Sequence, residues 1–171
     1  MEFEKVLENR KSIRKFKPSE ISDNIVYEIL KLSQLAPSAG NGQSYKVKII
    51  RSEEDREKLR QATMSKQESL ITAPVVLAIF ADKEESGKKY GERGEVFYSI
   101  QDATIFAAYV QLVISSKGFD SVWIGGFLED EIRKSLNISE NLKPVAFIPF
   151  GLPDAEPRIR ERKGLEDILL K

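Results

Sequence analysis

Residues 73–81 read APVVLAIFA, a run with no charged position in which β-branched and aliphatic side chains follow one another without polar interruption. A strand with one wet face alternates apolar and polar residues, whereas a continuous run is expected only where both faces are covered. The stretch therefore predicts a strand in the interior of a sheet. Working outward, YKVKII (45–50) alternates and reads as a half-buried strand. Ser52 and Asp55 form a capping box for a charged helix over 53–63, so a helix packs on that strand. PVAFIPF (144–150) predicts a further strand.

The helices are marked by their period and their stops. Residues 2–9 suit a short helix with Phe3, Val6 and Leu7 on one side. Ser22 or Asp23 can cap a helix carrying Val26, Ile29, Leu30 and Ser33 at helical spacing, which Pro37 ends. A short amphipathic helix is predicted over 129–136. Between Glu95 and Ser116 apolar residues fill nearly the whole circumference, so this helix is expected to be buried in a core or against another subunit. For a chain of this size, partial cover by a partner subunit is the expectation. Strands and helices alternate, which gives an α/β or α+β class. No repeat, low-complexity tract or linker is visible, so residues 1–171 are taken as a single domain.

The 27 basic and 27 acidic side chains cancel, which leaves no global field for nucleic acid or an anionic membrane surface. The absence of cysteine and histidine removes disulfides, thiolate nucleophiles, imidazole bases and the usual zinc ligands; no metal site is expected. Proton or redox work falls to carboxylates, lysines, tyrosines or a bound cofactor. The first residues carry no secretory pattern, and the apolar stretch at 73–81 is too short to span a bilayer. A cytoplasmic protein is the expectation.

Against that neutral background, ENRKSIRKFK (8–17) is a local concentration of cations running into Pro18, hence on extended backbone. Alternation puts Arg10, Ser12, Arg14 and Phe16 on one face and Lys11 on the other. A second basic group, Arg158, Arg160, Arg162 and Lys163, lies near the C-terminus. If the fold joins the two, guanidinium forks and a serine hydroxyl make a phosphate pocket; the alternative is a solvated patch interleaved with Glu156 and Glu161. PSAGNGQSY (37–45) could let backbone approach a flat polar ligand, with Asn41 and Gln43 as donors and acceptors, or it could be a plain helix-to-strand connection. WIGGF (123–127) could set a backbone amide against a planar ring, or simply turn.

The order of these pieces carries more than any one of them: RKSIRKF (10–16), APSAGNGQSY (36–45), APVVLAIF (73–80), an apolar helix ending KGFDSVWIGGF (117–127), and PVAFIPFGLPDAEPRIRERKGLEDIL (144–169). The series resembles the nitroreductase family of FMN-dependent oxidoreductases over nearly the whole chain. The resemblance implies an α+β fold, a central and mostly antiparallel sheet flanked by helices, and an intertwined homodimer with FMN at the subunit interface. It implies that Arg10 and Ser12 contact the FMN phosphate, that Lys11 contributes through backbone or side chain, and that Arg14 reaches the pyrimidine end of the ring. From the partner chain, Pro37, Ser38, Ala39 and Asn41 would line the ring. Gly125 and Gly126 match the segment whose backbone amide faces flavin N5, and Arg160 and Arg162 match a C-terminal pair that closes on the phosphate.

The implied activity passes a hydride from NADH or NADPH through FMN to a nitroaromatic, a quinone or another small acceptor. The cofactor holds the electrons, so no side chain needs a catalytic role and the missing histidine and cysteine are explained. The chain departs from the family in its short length and in Gln43-Ser44-Tyr45, where a tryptophan often follows the loop; Lys66 and Gln67 are the mid-chain candidates for a contact to the pyrimidine. The alternatives are a flavin-binding module with little turnover and a specialised family chemistry such as reductive dehalogenation. Nucleic-acid binding through the basic clusters is opposed by the interleaved glutamates.

Overall fold

Every residue of Val75–Asp82 is buried, as an unbroken apolar run requires. The computed structural model describes residues 2–170. Along the chain run α1 (Phe3–Asn9), α2 (Asp23–Ser33), β1 (Tyr45–Ile50), α3 (Glu53–Gln61), α4 (Glu68–Thr72), β2 (Val75–Asp82), α5 (Lys83–Arg93), α6 (Ser99–Ser116), β3 (Asp120–Ser121), α7 (Glu129–Leu136) and β4 (Leu142–Gly151). A π-helical turn at Gly94–Tyr98 joins α5 to α6.

The four strands form an antiparallel sheet of order β1-β2-β4-β3. The β2–β4 register shifts between Ile79, opposite Ala146, and Phe80, opposite Pro144. Pro144 has no N–H to give to a ladder, and irregular pairing is where a central strand tolerates it. On one face Leu77, Ile79, Ala146, Ile148 and Phe150 pack against Phe106, Val110 and Ile114 of α6 and Val26 and Ile29 of α2. On the other, Val76, Phe80 and Phe147 meet Leu59, Leu70, Ile132 and Leu136 from α3, α4 and α7, with Ile13 and Phe16. Each such large apolar side chain, fully buried, contributes about 1.5–3 kcal/mol. The class is α+β.

Most expected elements fall where their patterns put them, but α4 and α5 were not foreseen. Helix α5 (KEESGKKYGER) has two glycines and no apolar stripe; it is started by the Asp82 carboxylate, which accepts the Glu85 N–H at 3.1 Å. The apolar stretch from Glu95 to Ser116 is also less buried than its circumference suggested: Val96 and Phe97 of the π-helical turn and Tyr109 of α6 stay exposed while Ala103, Phe106 and Val110 face the sheet. The run Lys83–Ser116 is long and apolar enough, by length and composition, to cross a membrane. Gly91 breaks it, however, and α6 spends its inner face on the sheet, as a core helix does.

The N-terminal segment is extended, with a correction to its facing. Ser12 bridges Ser121 in parallel, while Phe16 bridges Pro153 antiparallel. Changing partner and direction between these points breaks the two-residue alternation. Ile13 and Phe16 are buried and Arg14 and Lys15 are exposed, so Phe16 does not share the Arg14 face.

Candidate functional site

Three backbone bonds lay the basic segment beside the end of the sheet: Ile13 N–H to Ser121 O (3.1 Å), Lys17 N–H to Leu152 O (2.9 Å) and Asp154 N–H to Lys15 O (2.9 Å). With Ile13 and Phe16 anchored in the core, the polar side chains between them are left outside. The chain leaving β4 returns past the same place, and the two basic groups line one cleft of about 680 Å³. Arg10, Lys11, Ser12 and Arg14 come from the first segment and Arg158, Arg160 and Arg162 from the second, with Glu8 and Glu161 as the carboxylates. Among the described residues none of these six cations forms an ion pair. Nearby, burial holds the Asp120 carboxyl above the ordinary carboxylate range, while Lys11 and Arg10 pull it down.

The 37–45 loop lies elsewhere. Its backbone is left-handed at Gly40 (φ 52°), Asn41 (57°) and Gln43 (48°), a conformation that costs a side-chain-bearing residue energy and persists only where neighbours enforce it. The enforcing residue is Asp102 of α6, buried, whose carboxylate accepts the Ala39 N–H at 2.8 Å and the Ser44 hydroxyl at 2.6 Å. Ser38 Oγ accepts the Gln43 N–H at 3.0 Å, and Lys89 of α5 donates to Gly40 O at 3.3 Å. Tyr45 stacks on Phe106 with ring centroids 4.1 Å apart. Burial, and secondarily the Asp102 charge, pushes its phenol above the usual value. Asp102 escaped the sequence reading, yet its signal was present: it is the sole charged residue in Ser99–Ser116.

Gly125 and Gly126 are exposed, between Ile124, bonded both ways to Phe147 (3.0 and 2.9 Å), and Phe127. The segment after α3 runs alongside: Met64 N–H donates to Gly126 O and Leu128 N–H to Ala62 O, both at 2.9 Å. This pairing brings the stretch leading to Lys66 and Gln67 next to the glycines. The cationic cleft is lined by none of Pro37, Ser38, Ala39, Asn41, Gly125 or Gly126. Within one chain, the structure unites the two basic groups and leaves the loop apart from them, fastened to α5 and α6.

The nitroreductase family model matches residues 7–69 and 63–152. The chain belongs to the nitroreductase family. It is 30% identical over 156 residues, covering 89% of this chain and 86% of the relative, to an Archaeoglobus fulgidus protein named for NADH dehydrogenase or NAD(P)H nitroreductase activity. A nitroreductase family protein from Clostridium novyi superposes with a TM-score of 0.82 at 28% identity, covering 90% of this chain and 86% of that one. A protein from Exiguobacterium sibiricum, described as a nitroreductase and solved in complex with FMN, shares the fold with a TM-score of 0.88 at 22% identity, covering 100% and 97%. In this nitroreductase-family enzyme the four-stranded sheet and helix α6 packed on it form the frame. The cationic cleft, the Asp102-held loop and the glycine pair are set around it.

Proposed function

We propose that residues 1–171 form one FMN-binding domain that works as an intertwined homodimer and passes a hydride from NADH or NADPH to a small acceptor such as a nitroaromatic or a quinone. The observation that carries this is the cleft where both ends of the chain bring unpaired cations around Ser12. A terminal phosphate dianion fits such a donor set: guanidinium forks bind its oxygens bidentately, and among the described residues Arg10, Arg160 and Arg162 form no ion pair that the phosphate would have to break. The E. sibiricum relative binds FMN, which supports the same ligand here.

When bound, FMN supplies the hydride chemistry. The chain's residues bind and orient it: Arg10, Lys11, Ser12, Arg160 and Arg162 at the phosphate, and Arg14 as the positive charge favouring the reduced ring's anion. The backbone of Gly125 and Gly126 would face the ring near N5. Pro37, Ser38, Ala39 and Asn41 come from the partner, which explains why one chain holds the loop away from its own cleft. Adding FMN to the purified protein should quench flavin fluorescence, and anaerobic mixing with NADH or NADPH should bleach the bound flavin rapidly. A protein that takes up no flavin overturns the proposal; one that binds flavin without bleaching over minutes is a binding module instead.

A further inference from the structure

Beside the 37–45 loop, α5 and the π-helical turn fold against each other as a hairpin, and its corner gathers Lys89, Tyr90, Arg93, Phe97 and Tyr98. The Arg93 guanidinium lies 4.9 Å from the Phe97 ring centroid and 5.2 Å from that of Tyr98. Its Nε donates to Tyr98 Oη at 2.9 Å. Tyr98 meets Tyr90 edge-on with centroids 5.0 Å apart and Phe97 at 5.6 Å. Lys89 Nζ sits 5.3 Å over the Tyr90 ring while reaching Gly40 O.

The backbone beneath the cluster is special at two points. Gly91 adopts φ 58°, ψ −146°, a region essentially closed to residues with a side chain. The turn that follows is a π-helical one, a form that recurs at functional sites. Phe97, in that turn, is 43% exposed beside the Arg93 guanidinium. Among the described residues neither Lys89 nor Arg93 forms an ion pair; Glu92 and Glu95 are neighbours in sequence but pair with neither. The cluster also abuts the loop directly: a Cβ on Gly40 would lie 2.3 Å from Tyr90 Oη.

An exposed Phe97 and two half-buried tyrosines beside cations that form no ion pair suit one kind of ligand, a planar ring carrying a negative charge. The ring stacks on the aromatic surface and the anion meets the guanidinium or ammonium. We propose that the Tyr90–Arg93–Phe97 cluster recognises such an anionic aromatic molecule next to the flavin-lining loop. The inference rests on the flavin reading of the 37–41 loop. Its ligand chemistry has two sources: an acceptor such as a nitrobenzoate, or the nicotinamide dinucleotide with its diphosphate.

Anaerobic stopped-flow on the FMN-loaded protein separates these sources, because flavin reduction by the donor and reoxidation by the acceptor are read apart. Arg93→Gln is compared with wild type and with Lys31→Gln, an exposed cation on α2, after circular dichroism confirms that both variants are folded. If the acceptor is the ligand, Arg93→Gln lowers the preference for para-nitrobenzoate over neutral nitrobenzene about tenfold, as expected for one lost charge-assisted contact. If the dinucleotide is the ligand, the same factor is expected in flavin reduction by subsaturating NADH or NADPH. Either result supports the proposal, provided Lys31→Gln does neither. An unchanged preference with unchanged reduction, or equal losses for both acceptors with unchanged reduction, overturns it. A wild-type protein that neither binds FMN nor has it reduced sinks the proposed function and this inference together. A reducible wild type with an indifferent Arg93→Gln sinks this inference alone.

Discussion

Asp102 is a charge placed where an apolar residue would pack more cheaply, and the loop it holds is the reason it is tolerated. A buried carboxylate is costly unless hydrogen-bonded, and Asp102 takes donors from both ends of the loop, Ala39 and Ser44. Asp102→Ala leaves the Ala39 N–H and the Ser44 hydroxyl without their acceptor, and is expected to cost about 2 kcal/mol in urea denaturation, in the range for an unsatisfied buried group. It should also weaken FMN retention, because Asn41 and Gln43 lose the contacts that enforce their left-handed backbone. Asp102→Asn keeps an acceptor for Ala39 and should recover most of both; equal losses in the two variants would argue against the positioning role. At this scale the sequence showed the types of residue in the basic segments but not the partners. Arg10 and Arg160 stand 150 positions apart, and only the path of the chain past β3 and β4 decides that they share a cleft.

The elements divide by how loudly their patterns speak. Strand β2 and helices α2 and α7 could be read because each buries a regular stripe or run, so period and burial coincide. Helix α5 could not, since it is held by its cap and by close backbone packing rather than by an apolar face. A Cβ on Gly94 would lie 2.3 Å from the Ser86 carbonyl oxygen, and backbone cannot yield as a side-chain tip does. Gly94→Ala is therefore expected to destabilise the protein by about 1–3 kcal/mol, the range for overpacking, and denaturant titration would show it. A loss confined to a few tenths of that would mean that the hairpin adjusts. The exposed flank of α6 is the converse case: its apolar circumference was visible in the sequence, but which side the sheet takes was not.

For the whole molecule, the exposed apolar surface is the open account. Ile159 is 87% exposed and Leu170 102%, with Leu165, Ile168 and Leu169 also exposed along the tail, and Tyr109 along α6. Such surface gains most by burial against a second copy. Sedimentation analysis of the full chain is expected to give a dimer. Truncation after Asp154, which removes the tail with Arg160 and Arg162, should shift it toward monomer and release flavin on dilution. A full chain that sediments as a monomer at micromolar concentration would count against the dimer.

Composition by itself excluded imidazole and thiolate chemistry, and local patterns determined the interior strand, its neighbours and the extended basic segment, because those features depend on residues adjacent in the chain. Which cations stay unpaired, which carboxylate fastens the 37–45 loop and which aromatic rings meet at Arg93 depend on contacts between distant residues. Those were decided only when β2 and β4 paired and α6 packed across them, since sequence spacing carries no distance once the chain has turned back on itself.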